Sequence, residues 1–300
     1  MAMSERASQT IDARVSIPAA TSMGTVSLTV SDLGRSRAFY EQALGLRARE
    51  LDDGGLALGA GEQAPLLSLH GDLAAPPLNR RAAGLYHLAI LVPSRLELAH
   101  ALARLAAARW PLDGVSDHLV SEALYLSDPD GNGVEIYRDR PRDQWRHRDG
   151  QLEMATLPLD LHGLAAELSG ADSVPQSAPS ATTIGHVHLQ VADIADAEAF
   201  YNGILGFDVT TRGYPGALFV SAGGYHHHLG LNTWHSAGAG TAAPGSVGLR
   251  SFEVVLPDGT ELERVLSRVS DAGVAAEPVG VDGAVAVPDP SGNTVVLRPR

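Results

Sequence analysis

Apolar and polar residues alternate in short runs along most of this chain, and the runs are broken by stretches whose apolar residues recur at helical spacing. Val26, Leu28 and Val30 share one face of a period-two segment, the mark of a half-buried strand. Asp32 stands where a helix N-cap is wanted, and Leu33, Phe39, Ala43 and Leu44 follow close to helical spacing. Gly45 supplies the stop, and short alternating segments come after it. The same order returns at "HVHLQV", with Asp193 as cap, Ile194, Ala197, Phe200, Ile204 and Leu205 on the helix, and Gly206 as stop. It returns from "LYHLAILV" through a helix over about 94–108 to strands ending in "EALYLSD" and "GVEIYRD". A last copy runs from "LRSFEVVL" through a helix over about 260–272 to "GAVAVPD" and "TVVLRP". Each copy reads as strand, helix, then two or three strands, and the chain as four βαβββ modules.

The modules are also related in sequence. "TVSLTVSDLGRSRAFYEQALGLRARE" from Thr25 matches "HVHLQVADIADAEAFYNGILGFDVTT" from His186, and "YLSDPDGNGVEIYRDRP" from Tyr125 matches "AVPDPSGNTVVLRPR" at the C-terminus. The expected division is a flexible tail over 1–22, one two-module domain over 23–140, a linker over 141–183 and a second two-module domain over 184–300. Pro, Ser and Ala cluster at "GADSVPQSAPSATT" in the linker, which has room for one short helix at "LDLHGLAAEL".

Composition narrows the chemistry. With 44% apolar and 19% charged residues in 300, the chain is an ordinary globular one, long enough for two cores. A net charge of -13 sets it against nucleic acid and anionic membranes, so neither is expected as a partner. The absence of cysteine excludes disulfides, thiolate nucleophiles and Cys-ligated zinc or iron–sulfur clusters, leaving His, Asp and Glu to hold any metal. The N-terminal stretch has no apolar signal region and no run is apolar for a membrane-spanning length, which predicts a cytoplasmic protein.

Among polar residues, Glu135 stands out because Val134 and Ile136 flank it on a strand, turning it to the opposite face. It follows Asp128-Pro129-Asp130-Gly131-Asn132-Gly133, a run of turn formers. Asp128, Asp130, Asn132 and Gly133 also fit the start of a calcium loop, but position twelve is Asp139 and the flanks read as strands, which favours the turn. Six of the twelve histidines fall in strands of equivalent modules: His87, His186, His188 and the triple His226, His227 and His228. A lone strand histidine is ordinarily a hydrogen-bonded core or surface group. Neutral imidazoles with one carboxylate and open positions are also the donor set of the Fe(II) facial triad, usable by Mn(II) or Zn(II).

These residues resemble the vicinal oxygen chelate superfamily of glyoxalases, bleomycin-resistance proteins and extradiol dioxygenases. "GLYHLAIL", "SEALYLSDPDGNGVEIYRDRP" and "FVSAGGYHHHLGLNTW" look most like two-domain bacterial catechol 2,3-dioxygenase-like proteins. The extradiol signature is matched by His118, Leu124, Tyr125, Asp128-Pro129-Asp130-Gly131 and Glu135, with Ser116 departing from the usual first position. The resemblance implies an α+β fold of four βαβββ modules in two domains with curved mixed sheets. It also implies His87, Glu135 and His186 as metal ligands, Tyr125 and His118 as partners of a bound catecholate, and His227, with His228 as second choice, as the acid/base group. Strand alternation would put residues 226 and 228 on one face and 227 on the other, leaving that choice open.

The implied activity is Fe(II)-dependent extradiol cleavage of a small aromatic diol by dioxygen. A glyoxalase-like isomerase or lyase and a non-catalytic drug-binding protein are the alternatives; the first goes with two carboxylate ligands, and the second with none of the His and Glu donors. Exposed sheet edges make a homodimer the expected assembly. One departure matters: the equivalents of His186, His87 and Glu135 in modules one and four are Thr25, Ser251 and Val296, so neither duplicate alone holds a full ligand set. A single complete set requires modules two and three to share a site, within the chain or across a dimer; pairing one with two and three with four would leave two half-sites.

Overall fold

The computed structural model describes residues 16–61, 64–169, 173–280 and 282–300. Residues 1–15 of the expected tail lie outside the described residues. Module one comprises β1 (Ser22–Val30), α1 (Leu33–Gln42), β2 (Arg47–Glu50), β3 (Leu56–Gly59) and β4 (Leu67–Gly71). Module two has β5 (Gly84–Leu91), α2 (Arg95–Ala107), β6 (Gly114–Asp117), β7 (Ser121–Ser127) and β8 (Gly133–Asp139). A small hairpin of β9 (His147–Arg148) and β10 (Gln151–Leu152) and a short helix α3 (Leu161–Ala166) follow. Module three is β11 (Thr183–Gln190), α4 (Ile194–Glu198), β12 (Asp208–Thr211), β13 (Ala217–Ser221) and β14 (Leu229–Asn232). Module four is β15 (Gly248–Leu256), α5 (Gly259–Asp271), β16 (Glu277–Val279), β17 (Ala284–Pro288) and β18 (Thr294–Pro299).

Local chemistry places the helices where the alternation pattern stops. The Asp32 side chain accepts from the Arg35 N–H, Ser94 from Glu97, Asp193 from Ala195 and Asp196, and Asp258 from Glu261. Each cap satisfies donors that a helix start leaves unpaired. The helix of module three departs from the expected regular pattern: α4 runs on into a π-helical turn over Ala199–Ile204.

Strands assemble across the duplication rather than within each half. One eight-stranded sheet has the order β16-β17-β18-β15-β1-β4-β3-β2 and the other β12-β13-β14-β11-β5-β8-β7-β6. Modules one and four therefore share a sheet, and modules two and three share the second. In every module the first strand runs parallel to the last, while β1 meets β15 and β11 meets β5 antiparallel, which makes both sheets mixed. With helices on such sheets the protein is α+β.

The apolar residues that alternation selects, among them Leu28, Leu67, Leu88, Val187 and Phe252, are fully buried and belong to one continuous core. Two tyrosines tie the sheets together. Tyr40 on α1 donates to Asp128 in the β7–β8 turn at 3.2 Å, and Tyr201, at the equivalent place after α4, donates to Asp289 in the β17–β18 turn at 2.9 Å. Each bond joins a helix of one sheet to a turn of the other. Among the described residues no helix is long and apolar enough to cross a membrane.

Candidate metal centre

The centre of the second sheet is formed by β8, β5 and β11 in that order. Register sets Ala89 opposite Glu135 across β5 and β8, and opposite His186 across β5 and β11; His87 faces His188. Cross-strand partners project to the same face, so Glu135, Ala89 and His186 form one row with His87 beside it. Glu135 and His186 start from strands two spacings apart, about 9.6 Å. Their side chains lean inward over the methyl of Ala89, and His186 Nε2 donates to Glu135 Oε2 at 3.0 Å. His87 Nε2 is also 3.0 Å from that oxygen, but off the line a hydrogen bond needs, and has no other partner. One ligand-type atom from each of the three lies within 4.8 Å of the others, and all three residues are buried. Glu135 is therefore buried at the cavity rather than on a solvent-exposed strand face.

An irregularity in β11 makes the approach possible. The pairing with β5 shifts between Ile184 and His186, where Gly185 passes the ring of Tyr137. A Cβ at Gly185 would lie 1.8 Å from the Tyr137 hydroxyl oxygen, so the backbone can come this close only without a side chain.

Electrostatics favour a neutral-imidazole, anionic-carboxylate set. Burial lowers the His186 ring to about 4, with the Glu135 charge acting in the opposite sense. Burial also works to raise the Glu135 carboxyl, but the rings beside it, His186 first, more than offset this and hold it well below the usual range.

A cavity of about 550 Å³ opens in front of these groups. On one side stands the His118 and Tyr125 pair expected from the sequence. His118 Nδ1 is 2.7 Å from the carbonyl of Ala155, which can only accept, so that nitrogen carries the hydrogen. Its Nε2 is then an acceptor for the Tyr125 hydroxyl, also at 2.7 Å. Burial, with the Glu135 charge next, pushes the Tyr125 hydroxyl well above its ordinary pKa. Ala155 belongs to the stretch expected as linker, and that stretch is more than a connection. Asp117 and Leu157 exchange backbone hydrogen bonds, and Met154 and Thr156 line the cavity.

On the other side, the histidine triple does not follow strand alternation. It lies in irregular chain ahead of β14, entered through Gly223 and Gly224 at φ 60° and 67°. His227 lines the cavity, with its ring 4.1 Å from that of His186, and burial lowers its pKa well below the usual value. His226 lies behind it, Nδ1 to Nδ1 at 2.8 Å. His228, the second choice for the acid/base group, is not brought to the cavity: its Nδ1 accepts from the Ala222 N–H at 3.1 Å and its ring packs on Tyr225 and Phe207. The corrected pairing is of 226 with 227, because a glycine turn rather than a pleat orients them.

His188 joins the cavity wall, buried against Tyr86 and Trp234. Asp128 holds its own turn, accepting from the backbone of Asp130 and Asn132 and from the Asn132 side chain, which accords with a turn rather than a calcium loop. Sequence reasoning missed Ala89, Tyr86, Trp234 and the 154–156 segment. For Ala89 a signal existed: a small residue between large apolar ones, two places after His87.

The equivalent place in the other sheet is filled. Glu253 stands where Ala89 does, accepts from the Thr25 N–H at 3.0 Å and reaches Arg298 at 3.5 Å, while Ser251 and Val296 replace the donors. One sheet of the two carries the chemistry-bearing groups.

Paired βαβββ modules on mixed sheets, with His and Glu donors converging on the central strands, define a vicinal-oxygen-chelate type of protein. The family model of the Glyoxalase/Bleomycin resistance protein/Dioxygenase superfamily matches residues 22–136 and 183–297, and the chain belongs to that superfamily. It is 46% identical over 261 residues to a Bacillus subtilis (strain 168) protein named catechol-2,3-dioxygenase, covering 86% of this chain and 90% of that one. Among solved structures, a protein from Bacillus subtilis subsp. subtilis str. 168 superposes with a TM-score of 0.67 at 14% identity, covering 95% of this chain and 86% of that one. Glyoxalase I from Zea mays gives 0.56 at 16% identity, with 92% of each chain covered. These two likenesses concern the fold.

Proposed function

We propose that this protein is a metal-dependent extradiol dioxygenase that opens a catechol-type ring with dioxygen, with Fe(II) held by His87, Glu135 and His186. The observation that carries the reading is the convergence of those three side chains on one point of a cavity flanked by His118, Tyr125 and His227. The name of the Bacillus subtilis relative supports the same activity.

The donor set fits such an ion. The nitrogens of His87 and His186 each stand 3.0 Å from one carboxylate oxygen. With bonds of about 2.1 Å, the edge of an octahedral face is about 3.0 Å. His87 Nε2 is buried with no hydrogen-bond partner, as a lone pair aimed at an ion would be. Mn(II) and Zn(II) accept the same donors. The glyoxalase-like reading asks for a second carboxylate, and the cluster found among the described residues has one.

An Fe(II) ion held there would supply Lewis acidity toward the two diol oxygens and electrons for dioxygen. The remaining work falls to the chain. Tyr125, kept protonated by its burial, gives its one hydrogen to His118 Nε2, so its hydroxyl oxygen is left to accept from a hydroxyl of the bound diol. His227, kept neutral by burial, is the acid/base group for the second diol proton. Tyr86, Phe219 and Trp234 give an aromatic wall that excludes water around the ring.

The test is elemental analysis of protein purified without air or affinity-tag histidines, followed by catechol and oxygen with detection of the yellow ring-opened product. The expected result is about one iron per chain, the count of one such donor set. Turnover and iron should both be lost in His87→Ala and in His186→Ala. Absence of metal above trace after Fe(II) loading would overturn the reading and leave a non-catalytic binding protein.

A further inference from the structure

Behind the cavity wall, a hydrogen-bonded chain has its direction fixed by its last member. Asp139 closes β8 four residues after Glu135, on the same strand face, with its side chain 27% exposed. Its Oδ1 lies 2.9 Å from His226 Nε2 and 3.2 Å from the Tyr225 hydroxyl. A carboxylate can only accept, so both neighbours donate to it. Tyr225 has one hydrogen, and Tyr137, 2.7 Å away, therefore donates to Tyr225. His226 likewise carries a hydrogen on Nε2, and with a single hydrogen on the ring its Nδ1 is an acceptor. Among the described residues its hydrogen-bond partner is His227 Nδ1 at 2.8 Å, which then supplies the hydrogen. The Nε2 of His227 is then a bare lone pair on a ring that lines the cavity.

We infer that His226 and Asp139 are positioning residues that fix His227 in the tautomer whose Nε2 accepts a hydrogen from a ligand hydroxyl in the cavity. The opposite tautomer would present an N–H and favour a ligand acceptor instead. His118 is set in the same sense by a different device, since the Ala155 carbonyl takes its Nδ1 hydrogen. The Nε2 of His118 is already taken by the Tyr125 hydroxyl, so of these two rings it is His227 whose accepting nitrogen is left for a ligand that arrives with O–H groups. The assignment of His227 as acid/base group rests on the dioxygenase reading, but its tautomer does not.

The experiment is nitrogen NMR of the full chain with 15N-labelled histidines, with and without Zn(II) as a diamagnetic probe, paired with catechol turnover of the Fe(II)-loaded protein. His227 should show a protonated Nδ1 and an unprotonated Nε2. In His226→Phe that pattern should give way to a tautomer mixture, and kcat should fall about 10- to 100-fold, the usual effect of losing an outer partner of a functional histidine. KM and bound metal should stay within about twofold, because neither residue belongs to the donor cluster. His226→Asn, which keeps an acceptor near the Nδ1 position, should recover both the tautomer and most of kcat. Asp139→Ala, at a partly exposed site, should weaken the tautomer preference in the same direction. A wild-type spectrum with the hydrogen on Nε2 overturns the inference whether or not the variants fold, and so does a His226→Phe variant with unchanged tautomer and kcat. A wild-type protein with the expected tautomer but no ring-opening activity sinks the dioxygenase reading and leaves the positioning role standing.

Discussion

Replacing Ala89 by leucine asks whether the floor beneath the three donors sets their geometry. Ala89 is fully buried, with Glu135 opposite on one side and His186 on the other, and these two side chains meet above it at 3.0 Å. Three added carbons would occupy the volume through which they cross. Parting them breaks a hydrogen bond to a buried charge, worth about 1.5–3 kcal/mol. Overpacking the core costs about 1–3 kcal/mol more. Urea unfolding of metal-free Ala89→Leu should thus show a loss of about 2.5–6 kcal/mol, the sum of those contributions. Metal binding, measured by competition with a coloured chelator, should weaken at least about 100-fold, which corresponds to roughly 2.7 kcal/mol. Ala89→Gly keeps the crossing clear and should lose only about 0.5–1 kcal/mol. A leucine variant within about 0.5 kcal/mol of the parent, binding metal with the parent's affinity, would refute the idea that Ala89 keeps the space open.

Further outcomes follow from other contacts. Gly185→Ala should lower the melting temperature by several degrees, as expected for a loss of about 1–3 kcal/mol, and Tyr137→Phe should restore part of it by removing the clashing hydroxyl; no rescue would place the strain elsewhere. Tyr125→Phe should retain bound metal while kcat falls about 100-fold, and unchanged turnover would remove Tyr125 from the chemistry. Burial lowers His228 from 6.5 to about 3, so between those values the unfolded chain binds the extra proton and stability drops as pH falls. By pH 5 the loss is about 2 kcal/mol. His228→Asn, which keeps an acceptor for the Ala222 N–H, should shrink the difference in unfolding free energy between pH 7.5 and pH 5 by about that amount, and an unchanged slope would assign the acid sensitivity to other groups.

The four modules and the α+β class were legible because alternation, caps and stops repeat in every copy, and each module's helix and strands are local structure. His87, Glu135 and His186 were legible as candidates because strand alternation separates a polar residue from its apolar flanks. That modules two and three share a sheet could be reasoned only indirectly, from Thr25, Ser251 and Val296 standing where donors would be needed. Strand alternation did not decide within the histidine triple, since Gly223 and Gly224 release it from the pleat; His227, the first choice, lines the cavity and His228 is turned away. The pairing of His226 with Asp139 and the part played by the Ala155 carbonyl were out of reach. Their roles come from register and from contacts between segments far apart in sequence, which no local pattern encodes.

The pairing of β5 with β11 and of β1 with β15 also bears on how the chain is made. During synthesis the first half emerges with the inner edges of β1 and β5 open, and β11 and β15 arrive only after the intervening segment. Strands carrying Leu88, Ile90, Val26 and Leu28 wait as unpaired apolar edges, the state most open to association with another nascent chain. Pairings this distant in sequence close slowly. A ribosome halted between the halves would therefore display His87 and Glu135 on a half-built sheet, and the cluster they form with His186 would be complete only after the second half had docked.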